Sequence, residues 1–204
     1  MPLIRKNAPG PAPSERPDWR AAVARLENGS ADERFSAARE LGTEPQAVPA
    51  LEAALAAAED ARLREAIFTS LARLDSEASF AAVLRQLRSD DAELRSLALD
   101  AMRLMKVQKE LQLGALLRDD DPDIRVLACD LALGMPSAAA LLAGLLAREA
   151  LVNVCAAAIE VLAEIGGPAE LPALDLCAAR FPEAFFLSFS ARNAAERIRA
   201  RAGS

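Results

Sequence analysis

An arginine returns at Arg34, Arg64, Arg95 and Arg125, and Cys155 takes the fifth place, so the steps along the chain are 30, 31, 30 and 30 residues. A fixed period in this range is the mark of stacked supersecondary units and restricts the fold more than any local propensity. Other registers keep the same period. Three residues after each marker stand Ala37, Ile67, Ala98, Ala128 and Ala158, and seven after stand Leu41, Leu71, Met102, Ala132 and Leu162. Spacings of three and four place these residues on one helical face.

Each unit also carries its own punctuation. Ser30, Asp60, Asp91 and Asp121 lie four residues before the four arginines, where a short polar side chain can accept from the unpaired N–H groups of a first helical turn. Ser30 and Glu33 have capping-box spacing, and Pro122 follows Asp121 at the first helical position. Gly42, Gly134 and Gly166 follow periodic segments, as left-handed C-terminal caps would. The expected first helices span about 31–41, 61–74, 92–105, 122–133 and 152–165, and the second helices about 46–58, 77–88, 107–118, 138–148 and 169–180. A lone hairpin cannot bury its apolar stripe, so neighbours must stack. The expected fold is all-α: an α-solenoid of about five helical hairpins over 30–180, with a capping helix at 18–29 bearing Trp19 and a capping helix and tail at 181–204. Residues 1–17, with five prolines, read as a disordered head and 18–204 as a single repeat domain.

The segments ELGTEPQAVPAL (40–51), DPDIRVLA (121–128) and VLAEIGGPAELPAL (161–174) resemble HEAT-like repeats of the phycobilin-lyase type. The resemblance covers about residues 30–180 and implies the superhelical fold. It also implies that the repeated arginine joins one repeat to the next through acidic partners. Repeats 2 to 4 lack the Gly–Pro turn of this pattern, and repeat 5 lacks the arginine.

Charge and missing residue types narrow the function. Residues 31–180 hold fifteen basic against twenty-five acidic side chains, a poor footprint for nucleic acid. No segment has the uninterrupted apolar length of a membrane helix, and the N-terminus lacks the apolar stretch of a secretory signal; a cytoplasmic, bacterial protein is expected. There is no histidine and no tyrosine, which removes the usual base near neutral pH and every Ser–His or Cys–His arrangement. Cys129, Cys155 and Cys177 have no metal-ligand spacing and read as small buried hydrophobes. The acidic groups Asp90–Asp91–Glu93 and Asp119–Asp120–Asp121–Asp123 do not match a calcium loop and suit helix N-termini. No catalytic, cofactor-binding or metal residue is assigned.

The reading that follows is a non-enzymatic interaction module that presents the concave face of the solenoid to a protein or peptide. Arg85, Arg88, Lys109 and Gln112, on the second helices of repeats 2 and 3, form a candidate binding strip; ordinary solubilising surface is the alternative. Phe185, Phe186 and Phe189 either close the last repeat's core or contact a partner, which includes a second copy of the chain. Arg34, Arg64, Arg95, Arg125, Asp60, Asp91 and Asp121 are assigned to building the stack. A bilin lyase or related modifying factor is the alternative that the repeat type implies, and it requires a tetrapyrrole cleft and an acid–base group. A HEAT-like DNA-repair protein is a further alternative, disfavoured by the acidic middle.

Overall fold

The structure is a computed structural model that describes residues 18–203. The proline-rich head at 1–17 lies outside the described residues. Twelve α-helices are present among the described residues, and no strand. They group into two units, divided between Leu74 and Asp75, within the second expected hairpin.

The first unit contains α1 (Trp19–Asn28), α2 (Ala31–Glu40), α3 (Val48–Ala56) and α4 (Ala61–Leu74). Helix α2 begins with the expected capping box: the Ser30 N–H donates to the Glu33 carboxylate at 2.8 Å. Helix α1 packs on α2 through Ala22 and Leu26, both fully buried. Trp19, expected to make that contact, is half-buried, and the Arg20 guanidinium lies over its ring at 4.8 Å. Gly42 is not a left-handed cap. It is buried in a 3-10 turn, Leu41–Thr43, where α2 and α4 come close. There the Ser70 hydroxyl donates to the Ala38 carbonyl at 2.7 Å.

The second unit contains α5 (Glu77–Leu87), α6 (Ala92–Leu104), α7 (Lys106–Leu116), α8 (Pro122–Leu131), α9 (Ala139–Arg148), α10 (Val152–Ile165), α11 (Leu171–Arg180) and α12 (Phe185–Ala202). Its core is aliphatic, with Met102, Leu113, Leu117, Ile124, Leu142, Leu145, Leu162, Leu174 and Leu187 buried. Gly134, at φ +77°, is the one expected left-handed glycine that the fold uses as such. Gly166 is extended, and a Cβ there would stand 2.6 Å from the Leu162 carbonyl and 3.0 Å from Ile198 of α12. The turn before α9 is a 3-10 turn at Pro136–Ala138, like those at Pro45–Ala47 and Pro168–Glu170. Repeat 4 therefore has a proline turn, contrary to expectation, with Gly134 and Pro136 separated by Met135 in place of an adjacent Gly–Pro.

Asp75 is the one described non-glycine residue with positive φ, at 41°. Its carboxylate accepts from the Val107 and Gln108 N–H groups at 2.9 and 3.0 Å. It thereby caps α7, whose own N-cap position is Met105 and offers no side-chain acceptor. Asp75→Ala is expected to lower stability by about 1–2 kcal/mol, the size of a lost N-cap. Asp75→Asn, which keeps an acceptor, should lose less; equal denaturation midpoints for wild type and the alanine variant would disprove the capping role.

The repeated aspartates cap as expected. Asp60 accepts from the Arg62 N–H, Asp91 from Glu93 and Leu94, and Asp121 from Asp123. The repeated arginines depart from what the resemblance implied. Arg34 donates to the Leu26 carbonyl, Arg64 to Ala58, Arg95 to Ser89 and Arg125 to Asp119. These carbonyls lie at or just past the end of the preceding helix, where they lack intrahelical donors and form the negative end of the helix dipole. Arg125 also forms an ion pair with an acid, Glu149, at 2.7 Å.

Repeat 5 solves the missing arginine differently. Cys155 directs its thiol at the Glu149 carbonyl, 3.8 Å away. Arg180 reaches back from the end of α11 to the carbonyls of Leu146, Ala147 and Glu149. Arg148 does the same one repeat earlier, on Leu117 at 2.8 Å. Arg88, Arg118 and Arg148 thus form a second series at a 30-residue step.

Candidate functional site

Consecutive first helices of the second unit do not all pack alike. Helix α8 lies along α10 and α10 along α12, whereas α6 and α8 touch at few points. Between α6 and α8, closed below by the end of α5, opens a groove of about 580 Å³. Its floor is Leu87, Leu99, Ile124, Val126 and Leu127, and its rim carries Arg88, Arg95, Ser96, Asp121 and Asp123. Leu99, Val126 and Leu127 are only half-buried, since no facing helix covers them.

Ion pairs bracket this opening. The Arg88 guanidinium meets the Asp119 carboxylate at 2.5 Å, and Arg103 of α6 meets Asp130 of α8 at 2.8 Å. Hydrogen bonding to Asp130 holds the Arg103 guanidinium above its ordinary pKa, against the opposing effect of burial. Arg95 uses one N–H on the Ser89 carbonyl at 2.7 Å, and a guanidinium has five to offer. Asp121 is committed to its capping bond. The Asp123 carboxylate is exposed at the rim and makes no hydrogen bond or ion pair among the described residues. The groove therefore combines an apolar floor, two guanidinium groups and an available carboxylate. That is the make-up of a small-molecule cleft, and its volume falls within the usual range for one.

The four residues of the expected strip are not gathered in this groove. Arg88 lines it, while Arg85, Lys109 and Gln112 do not. Arg85 is exposed on α5 and Gln112 half-buried on α7; the Lys109 ammonium donates to the Arg103 carbonyl at 3.4 Å. Arg95, assigned only a building role, stands on the rim. Leu99, Val126 and Leu127 were missed altogether, because an apolar residue at helical spacing looks the same in sequence whether or not a neighbour covers it.

The C-terminal aromatics do not close the core. Leu187, Ala191, Ala194, Ala195 and Ile198 do so, while Phe185, Phe186 and Phe189 face outward, 78, 57 and 65% exposed. The three cysteines are buried free thiols. Burial, reinforced by Glu149, pushes the Cys129 thiol up to about 12. Contact with Cys177 and burial likewise raise Cys155. No group of three or more His, Cys, Asp or Glu side chains among the described residues is arranged to hold a metal ion. No described helix is long and apolar enough to cross a membrane.

No family model matches the chain. Over 85 residues it is 40% identical to the bilin biosynthesis protein PecE of Nostoc sp. (strain PCC 7120 / SAG 25.82 / UTEX 2576), a match covering 41% of this chain and 34% of PecE. The chain thus spans about a third of the length of the curated relative it matches. Among solved structures, the complex of CpcE and CpcF of phycocyanin lyase from Nostoc sp. PCC7120 is 18% identical over 98% of this chain and 99% of that one, with a TM-score of 0.40. An engineered protein is 17% identical over 90% and 99%, with a TM-score of 0.41. At these scores the structural likenesses do not bear on function. The likeness to PecE, a protein named for bilin biosynthesis, overturns the expectation of a non-enzymatic chain. Absence of histidine removes the commonest acid–base group, but carboxylates also carry protons in catalysis, and Asp123 offers one at the groove.

Proposed function

Starting from a chain that carries HEAT-like repeats of the phycobilin-lyase type, we propose that it is a bilin-lyase-like factor that binds an open-chain tetrapyrrole and acts on it together with a protein partner. The observation that carries this reading is the 40% identity to PecE; the groove between α6 and α8 supports it. An open-chain tetrapyrrole is an extended, largely apolar framework with propionate carboxylates. Leu99, Ile124, Val126 and Leu127 match the framework, and Arg88 and Arg95 match the propionates. Guanidinium–carboxylate bonds are stronger than neutral hydrogen bonds and fix orientation as well as affinity. Asp123 is the rim group placed to hold or deliver a proton.

Titration with biliverdin tests this directly. A saturable shift and strengthening of its long-wavelength absorption is expected. Arg88→Gln combined with Arg95→Gln should weaken binding by about tenfold or more, since a hydrogen bond to a charged group contributes about 1.5–3 kcal/mol. Because Arg95 also caps a carbonyl, Leu99→Arg is the companion variant: it fills the groove from a half-buried position. No spectral change with wild type would end the tetrapyrrole reading, and unchanged binding in both variants would end the assignment of the groove.

A further inference from the structure

Helix α12 has two unlike faces. One is buried on α10 and α11 through Leu187, Ala191, Ala194, Ala195 and Ile198. The other carries Phe185, Phe186 and Phe189 in its first turns, then Arg192, Asn193 and Glu196, all exposed. At 3.6 residues per turn, Phe185, Phe189, Arg192 and Glu196 share one stripe, with Phe186 and Asn193 along its edge. A contiguous aromatic patch of this kind is an interaction site, and aromatics and arginine are the side chains that anchor interfaces.

We propose that a second copy of this chain covers the patch, the two α12 helices lying antiparallel about a two-fold axis at Phe189. The stripe is aromatic at one end and guanidinium-bearing at the other, so it complements itself only in the antiparallel sense. Pairing about Phe189 sets Phe186 against Arg192 of the second copy and Phe185 against Asn193, each contact occurring twice, as in any isologous interface. A parallel pairing would instead oppose Arg192 to Arg192. A guanidinium over a phenyl ring is a favourable contact, and the chain already makes it within itself, with Arg62 over Phe35 at 4.0 Å and Arg180 over Phe181 at 5.1 Å. Six rings at these exposures supply about 800 Å² of buried surface. With Arg192, Asn193 and the segment at 182–183, the total reaches about 1,200 Å², the lower bound of a specific interface. An area at this lower bound suits a weak, reversible dimer, and it stands apart from the bilin reading.

Sedimentation equilibrium of the full chain from roughly 1 to 500 µM is the test, with an expected Kd on the order of 10 µM. Phe186→Ser and Arg192→Glu should each weaken the dimer at least tenfold, whereas Arg192→Lys should retain it. Phe189→Cys places a thiol on the axis and should give a disulfide-linked dimer under mild oxidation, the native thiols being buried. Circular dichroism should be unchanged throughout, since the altered residues are exposed. A wild type that stays monomeric to 500 µM overturns the proposal, all the more if it pellets with anionic vesicles through the same phenylalanines. A dimer indifferent to these substitutions overturns it as well.

Discussion

Replacing Glu149 with alanine is expected to destabilise the protein by about 3–5 kcal/mol, the loss seen when one partner of a buried ion pair is removed. The Glu149 side chain is 6% exposed and that of Arg125 15%. The pair is bidentate, with Arg125 Nε at 2.7 Å and Nη2 at 3.2 Å from the carboxylate oxygens. The carboxylate also accepts from the Ala150 and Leu151 N–H groups, both at 3.0 Å, where α10 begins. Removing it leaves a guanidinium largely out of water and two backbone donors at a helix start without their acceptor. Burial by itself raises the carboxyl's pKa. Arg125 and the two N–H groups outweigh burial and hold it below the usual 4.5. The folded value therefore lies below the unfolded one, so this stabilisation is complete above the unfolded pKa and is lost as pH falls through the folded value. Urea denaturation should show a wild-type advantage over Glu149→Gln that is full at pH 7 and shrinks below about pH 4. A gap that is absent at neutral pH, or constant down to pH 3, would contradict this role.

Gly42→Val should lower stability by about 3 kcal/mol, the upper part of the range for overpacking. A Cβ at residue 42 would stand 3.0 Å from the Ser70 hydroxyl and 3.1 Å from its Cα. The hydroxyl can rotate away, but the Cα belongs to α4 and moves only with that helix. Levering α4 from α2 also breaks the buried bond from Ser70 to the Ala38 carbonyl. Gly42→Ala should lose less than the valine variant, and Ser70→Ala about 1 kcal/mol. If Gly42→Val melts with wild type, close approach of α2 and α4 is not why glycine stands there.

Much of the fold was legible because its signals are local. The capping box at Ser30–Glu33, the caps at Asp60, Asp91 and Asp121 and the Pro122 start each act within one turn of helix. Helix boundaries read from them agree with the structure to within two residues at most ends. The glycines were less legible. Gly134 takes the left-handed conformation, whereas Gly42 is glycine because α4 stands where a Cβ would go, and proximity across the fold leaves no local trace; at Gly166 a Cβ would meet the Leu162 carbonyl of its own preceding turn at 2.6 Å. Likewise the arginine period was visible while its chemistry was not, since a guanidinium can bond to backbone carbonyls as well as to carboxylates.

The candidate groove was hidden for the same reason. Leu99, Val126 and Leu127 have the spacing of any packed helix face, and only the sparse contact of α6 with α8 leaves them open to a ligand. Phe185, Phe186 and Phe189 carried two readings, and the orientation of α12, set by burial of Leu187 and Ile198, turned them outward. The amino-acid sequence by itself determined the elements and the period at which they recur, through capping, propensity and apolar spacing that operate over a few residues. Which faces of those helices are covered, and so which side chains remain available for chemistry and for partners, depends on the distance between residues far apart in the chain, and the tertiary structure alone decided it.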